Sequence, residues 1–317
     1  MRERLFHSKT LRLALQLSVF TASLFAAGSS FARPDMTPLG PNIADKGSAF
    51  YHFTVNTFDS VDGQRHYKVW TAIPDKPAPA AGYPLLYMLD GNAVMDRLSD
   101  SLLQKLSQQN PPVLVVVGYQ TDEPFALSAR AYDDTPPVSM AGSLCQQQAT
   151  RGRPCGGGLI FRQLLEQTIA PQAEKGLKID SHQRGIWGHS LGGLYVLDSW
   201  RSSSLFNRYY ATSPSLNRDY IGMLDEMAQI DPRKVCHKQL IFMEGSPIPG
   251  KNKAGAVADA VSRVHATLPA LRSRGLAVAD WSFPELNHGE MFNAGFQRAL
   301  FDMAAPDKTL PAANCPP

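Results

Sequence analysis

One stretch constrains this chain more than any other: Arg184-Gly185-Ile186-Trp187-Gly188-His189-Ser190-Leu191-Gly192-Gly193-Leu194-Tyr195. Ile186 and Trp187 suit the apolar end of a strand. Leu191, Leu194, Tyr195 and Leu197 recur at helical spacing. Between the two lies G-x-S-x-G, centred on Ser190. This is the pattern of a nucleophile elbow, in which a sharp turn holds a serine in strained backbone with its hydroxyl above the sheet edge. Gly188 and Gly192 are expected because a Cβ at either would collide across the turn. The N–H of Leu191, at the helix start, can donate to an oxyanion. A tight strand–helix turn with a solvated serine has the same local pattern, so the surrounding chain has to decide.

The surroundings alternate strands with helices. Tyr51–Phe58 and His66–Ile73 alternate apolar and polar residues, with Asp62-Gly63 between them as a hairpin turn. The segment Pro84–Leu89 is a near-continuous apolar run, as is Val113–Val117, and both suit strands buried on two faces. Met95, Leu98, Leu102 and Leu106 space out one helix between them. Further helices are predicted over Phe161–Ala170, Val257–Leu271 and Phe296–Met303. Further strands are predicted over Tyr209–Thr212, Leu240–Met243 and Ala277–Phe283. This order predicts an α/β protein with a mostly parallel sheet, an antiparallel N-terminal hairpin at one edge and helices on both faces. That is the α/β-hydrolase plan. In it, the loop after the third strand supplies a second oxyanion donor, here the backbone N–H of Asn92 or Ala93. Residues 121–158 lack periodicity and predict a long loop over the site, with a disordered insertion as the alternative.

The first 32 residues read as a secretory signal. Arg2, Arg4, Lys9 and Arg12 precede the apolar stretch Leu13–Ala27, and Ser30-Phe31-Ala32 offers a cleavage site. An uncleaved anchor is the alternative, although the apolar run is short for a membrane span. Cleavage leaves a single domain over 33–317, placed in the periplasm without stable membrane insertion. The leader carries a net +3, as does the whole chain, so the remainder is close to neutral. No basic run with interleaved aromatics points to nucleic acid. Four cysteines in an exported chain predict two disulfides, with proximity favouring Cys145–Cys155 and leaving Cys236–Cys315. No Cys/His spacing suggests a metal, and no cofactor is expected.

A serine nucleophile needs a base. His52 and His66 lie in the early hairpin and His182 precedes the elbow strand. His189 adjoins the serine and cannot turn its ring onto the same oxygen. His237 precedes a strand and His265 lies within a helix. His288 alone follows the last strand, where this fold delivers its base. Glu244, at a strand end between serine and histidine, is the candidate acid. Asp219, Asp225, Asp259, Asp280 and Glu285 are also available.

The segments LDGNAVMDRL, RAYDDTP, FRQLLEQTIAP, GHSLGGLYVLDSW, SPSL and NHGEMFNAGFQRAL, taken in order, resemble the periplasmic enterobactin/salmochelin esterases. The resemblance extends from about residue 34 to the C-terminal cysteine. It implies an α/β-hydrolase that cleaves the serine esters of a cyclic catecholate siderophore through a covalent acyl-enzyme. It also implies a Ser190–His288 dyad without a well-placed third carboxylate, which argues against Glu244. Leu191 departs from the family's tyrosine, a change that a backbone donor survives. Arg130, in RAYDDTP, is the candidate contact for a catecholate, because a guanidinium both pairs with oxygens and stacks on rings. Alternatively, it pairs with Asp133 or Asp134 and shapes the loop. Two other functions stay open at this point: a general carboxyl- or S-acyl-esterase on the same fold, and a catalytically silent siderophore-binding protein.

Overall fold

The computed structural model describes residues 34–137, 152–216, 220–245, 254–305 and Cys315, with only the backbone of 254–260. The chain separates into residues 1–34, of which Pro34 alone is described, and residues 35–317. The expected signal segment therefore lies outside the described residues, as does Cys145.

Among the described residues, eight strands form one sheet: β1 (Tyr51–Asp59), β2 (His66–Pro74), β3 (Tyr83–Met88), β4 (Val113–Tyr119), β5 (Ile179–His189), β6 (Arg208–Thr212), β7 (Gln239–Gly245) and β8 (Ala277–Phe283). Their order is β1-β2-β4-β3-β5-β6-β7-β8. The pairs β1–β2 and β2–β4 are antiparallel. Every other neighbouring pair is parallel. The predicted architecture is therefore observed, with an antiparallel edge on a mostly parallel sheet.

The apolar runs explain why the sheet is covered on both faces. Leu85 and Tyr87 of β3, Val113, Val115 and Val117 of β4, and Tyr209 and Ala211 of β6 enter one core cluster. Their alternates Leu86, Met88, Leu114, Val116 and Tyr210 enter another. Side chains along a strand point to opposite faces, so a continuous apolar run feeds two cores at once. The helices are α1 (Ile43–Lys46), α2 (Gly91–Arg97), α3 (Asp100–Ser107), α4 (Leu127–Asp133), α5 (Gly158–Leu164), α6 (Ala170–Ala173), α7 (Leu191–Ser202), α8 (Met223–Gln229), α9 (Ala254–Ser273) and α10 (Met291–Ala304). Elbow helix α7 supplies Leu194, Val196 and Leu197 to the first cluster. Helix α10 supplies Phe292, Phe296 and Leu300 to the second.

Three expectations are corrected. The single helix through Met95 to Leu106 is two, because Leu98 turns extended at φ −73°, ψ 117°. The Ser99 hydroxyl then accepts from Leu102 N–H and caps α3. The stretch 121–158 is not wholly irregular, since α4 forms within it. Phe161–Ala170 is helical but not uniformly α, with a π turn over Leu165–Ile169 between α5 and α6. Cys236 and Cys315 are disulfide-bonded, and Cys155 is also in a disulfide. Among the described residues, no helix is long and apolar enough to cross a membrane.

The strand order fixes where a ligand can sit. The chain leaves β3 toward β4 on one side and returns to β5 on the other. A crevice therefore opens at the C-terminal ends of β3 and β5, the usual ligand position in such sheets. Leu89 N–H donates to Trp187 O at 3.1 Å and holds the two strand ends together. Asp90 and Ser190 follow directly.

Candidate active site

Ser190 has φ +60° and ψ −113°, strained geometry for a residue with a Cβ. Its neighbours hold it there. Ser190 N–H donates to Thr212 O at 3.0 Å, and Ser190 O accepts from Leu194 N–H at 3.0 Å and Ser215 N–H at 2.9 Å. A Cβ on Gly188 would lie 2.3 Å from Gly192 O, a backbone collision. A Cβ on Gly192 would meet nothing nearer than Leu89, at 3.5 Å, which is ordinary contact. The predicted collision at Gly192 is thus not found. The tight position is Gly193, where a Cβ would lie 2.8 Å from Thr212 O as α7 crosses β6.

The Ser190 hydroxyl lies 3.2 Å from Nε2 of His288 and 3.0 Å from Oγ of Ser215. His288 is delivered by the loop between β8 and α10. Asn287 shapes that loop, its side chain accepting from Gly289 N–H at 2.9 Å and Glu290 N–H at 3.1 Å. Desolvation of the His288 ring lowers its pKa below the usual imidazole value, and the Arg130 guanidinium adds to this. A neutral imidazole with its Nε2 lone pair toward a serine hydroxyl can remove the proton.

Among the described residues, no carboxylate hydrogen-bonds His288. The acid role considered for Glu244 is not what the geometry provides. Its side chain bonds Ser213 instead, and burial raises its pKa to about 8 against the opposing pull of that bond. It is then mostly protonated at neutral pH and cannot act as the anionic partner of a histidine.

The expectation for Arg130 is also corrected. It lies in α4 rather than an open loop, and it is buried at 8% exposure. Its Nε and one terminal nitrogen fork onto the Asp90 carboxylate at 2.6 and 2.8 Å, the bidentate geometry of a strong charge-assisted pair. Asp134 lies 3.7 Å from the same guanidinium. Burial works against its charge, but Asp90 and Asp134 more than offset that. Arg130 therefore braces the end of β3 against α4, and its positive charge acts on His288. The adjacent Asp133 takes no part in this pair. It accepts from Tyr67 and Tyr119 at 2.8 and 3.0 Å and pairs with Arg65 at 3.0 Å.

Asn92 and Ala93 lie in the first turn of α2, after Gly91, where N–H groups lack intrahelical acceptors. The Asn92 side chain is occupied elsewhere. It donates to Tyr119 O and Thr121 O at 3.0 and 2.8 Å and accepts from Tyr119 N–H at 2.8 Å, tying α2 to the end of β4. Leu191 likewise lies in the first turn of α7.

Sequence reasoning passed over two neighbours of the dyad. Ser215 sits three residues beyond β6, within a Ser-Pro-Ser turn that was visible as a motif but not as a contact. His189, next to the serine in sequence, has its ring 4.7 Å from that of His288.

The family model for esterases matches residues 60–272. The chain belongs to the esterase family. It is 53% identical over 282 residues to the apo-salmochelin esterase of Escherichia coli O6:H1, covering 89% of this chain and 88% of that protein. The solved structure of the enterobactin and salmochelin hydrolase IroE superposes with a TM-score of 0.74 at 53% identity, covering 84% of this chain and all of that one. The structure of IroE in complex with DFP superposes at 0.75 and 52% identity with the same coverage. This esterase is therefore similar over most of its length to a serine hydrolase of siderophores.

Proposed function

We propose that this esterase hydrolyses the ester bonds of a cyclic catecholate siderophore of the enterobactin or salmochelin type, outside the cytoplasm, through Ser190 and His288. One observation carries the reading: a serine in strained backbone with a histidine Nε2 3.2 Å from its hydroxyl, on a chain 53% identical to an apo-salmochelin esterase. His288 takes the Ser190 proton as Oγ attacks the ester carbonyl. The N–H of Leu191, with that of Asn92 or Ala93, receives the oxyanion. The imidazolium returns its proton to the departing serine hydroxyl of the substrate, leaving an acyl-enzyme. Water activated by His288 then releases the acid. The Cys236–Cys315 disulfide suits an oxidising compartment, in keeping with a periplasmic protein exported by residues 1–32.

Incubation with enterobactin, followed by mass analysis, should yield linear and shortened trimers. Ser190→Ala and His288→Ala should each lower turnover by about 10³-fold or more, because the two act as a unit. Rapid hydrolysis of short p-nitrophenyl esters with intact enterobactin would refute the siderophore reading and favour a general esterase.

A further inference from the structure

His189 is buried at 7% exposure, directly before the nucleophile. Its Nε2 lies 2.7 Å from the main-chain carbonyl oxygen of His288. A carbonyl only accepts, so the imidazole donates, and its proton sits on Nε2. Burial, reinforced by the neighbouring His288 and opposed by this hydrogen bond, pushes the His189 pKa well below the usual value. The ring is thus neutral and held in one tautomer. The ring also packs edge-to-face with Phe292 at 5.5 Å and 79°, and Phe292 packs against Trp187 of β5 at 5.2 Å. The ring has little freedom to turn.

We propose that His189 is the positioning residue of this site, fixing the base against the nucleophile by donating from Nε2 to the backbone carbonyl of His288. The loop that carries His288 is otherwise closed on itself. Asn287 bonds Gly289 and Glu290, Leu286 N–H bonds Phe283 O, and Met291 N–H bonds Asn287 O. Among the described residues, two hydrogen bonds tie residues 284–290 to the elbow. One is the reacting Ser190–His288 contact and the other is His189 to His288 O. The first must break and re-form during each turnover, so the second alone can keep register throughout.

A carboxylate on Nδ1 would do this from the far edge of the ring, and none is present among the described residues. Two adjacent residues, the last of β5 and the one that follows it, perform the two tasks instead. Ser190 meets the side chain of His288, and His189 meets its main chain. Neutrality is part of the design. When His288 becomes imidazolium during acylation, a neutral ring 4.7 Å away does not repel it, whereas a charged one would.

The test compares His189→Phe, which keeps an aromatic ring but has no donor, with His189→Gln, whose amide nitrogen reaches as far as Nε2. Both are made in the full chain and assayed on p-nitrophenyl butyrate, with active sites counted by complete fluorophosphonate labelling. A simple ester keeps the result independent of the siderophore reading, which stands or falls on the enterobactin assay. The kcat per labelled site of His189→Phe should fall about ten- to a hundredfold, the range expected of a base displaced by a fraction of an ångström to 1 Å. KM should stay within about threefold, and His189→Gln should recover most of the loss. A purely structural role would lower the melting temperature and the labelled fraction, and leave kcat per site alone. If His189→Phe does not fold, His189→Asn, with its amide one bond too short, takes its place against His189→Gln. Native kcat per site in the donor-less variant, or equal losses in both variants, would overturn the proposal.

Discussion

Glu244 offers the sharpest separation between a dyad and a triad, because activity and stability are expected to move differently when it is changed. Its pKa is raised from 4.5 to about 8 by burial. A raised pKa means that the folded state binds a proton the unfolded state releases. The associated stability is fully present below about pH 4.5 and is lost as pH rises through the window up to about 8. Each unit within that window corresponds to about 1.4 kcal/mol, an upper bound here because the residue is only partly buried. Glu244→Gln presents the neutral amide in place of the neutral acid and does not titrate. Between pH 5 and pH 7 the variant should therefore gain up to about 2.7 kcal/mol relative to the native protein, or a rise of several degrees in relative melting temperature. Thermal melts at pH 5, 6, 7 and 8 measure this directly. In parallel, kcat/KM on enterobactin should stay within about threefold of native at pH 7, against a loss of about 10³-fold for His288→Ala. Parallel melting curves across the pH series would refute the buried protonated carboxyl. An activity loss matching His288→Ala, with the fold intact, would make Glu244 the third member of a triad.

Two further outcomes follow from the elbow and the base. Gly188→Ala should abolish most activity, by about a hundredfold or more, because its Cβ would lie 2.3 Å from the carbonyl of Gly192, whereas Gly192→Ala should cost only a few-fold; comparable kcat/KM for the two would refute the close crossing. The acid limb of the kcat/KM profile should have its midpoint below 6.5, since desolvation and Arg130 lower the His288 pKa and the neutral form is the base; a midpoint above 6.5 would contradict this.

What the sequence discloses and what it hides divide along a physical line. Strands β3 and β4 were legible because burial on both faces demands unbroken apolar runs. The elbow was legible because its backbone admits few residues, and His288 because chain order restricts where a base can arrive. The break between α2 and α3 was not read, since Leu98 continues the apolar period across it; the signal present was Ser99-Asp100, a capping residue followed by a first-turn acid. The local alternative for Arg130, a pair with Asp134, is present at 3.7 Å, but its bidentate partner Asp90 lies forty residues away, and an ion pair chosen by tertiary approach leaves no local trace. His189 and Ser215 touch the dyad only because loops distant in sequence converge at one edge.

That edge is where the fold concentrates its strain. Among the described residues, three that are not glycine have positive φ: Asp90 at +54°, Ser190 at +60° and Ser213 at +39°. They follow β3, β5 and β6, three neighbours in the sheet. Each such residue raises the energy of the fold by roughly 1–3 kcal/mol, less for an aspartate in the left-handed region. Each also fixes a group at this edge. Asp90 holds Arg130, Ser190 meets His288, and Ser213 bonds Glu244. The electrostatics then differ in sign from a triad. A carboxylate beside the base would raise its pKa and stabilise the imidazolium. Here the charge that acts on the base is the Arg130 cation, which lowers its pKa and is itself paired with Asp90 and Asp134. The lowered pKa favours the neutral resting base, while the imidazolium formed on attack gains no ionic partner among the described residues. A base that lacks ionic support depends more heavily on placement, which is why a neutral hydrogen bond from His189 to its backbone matters more here than it would beside a carboxylate.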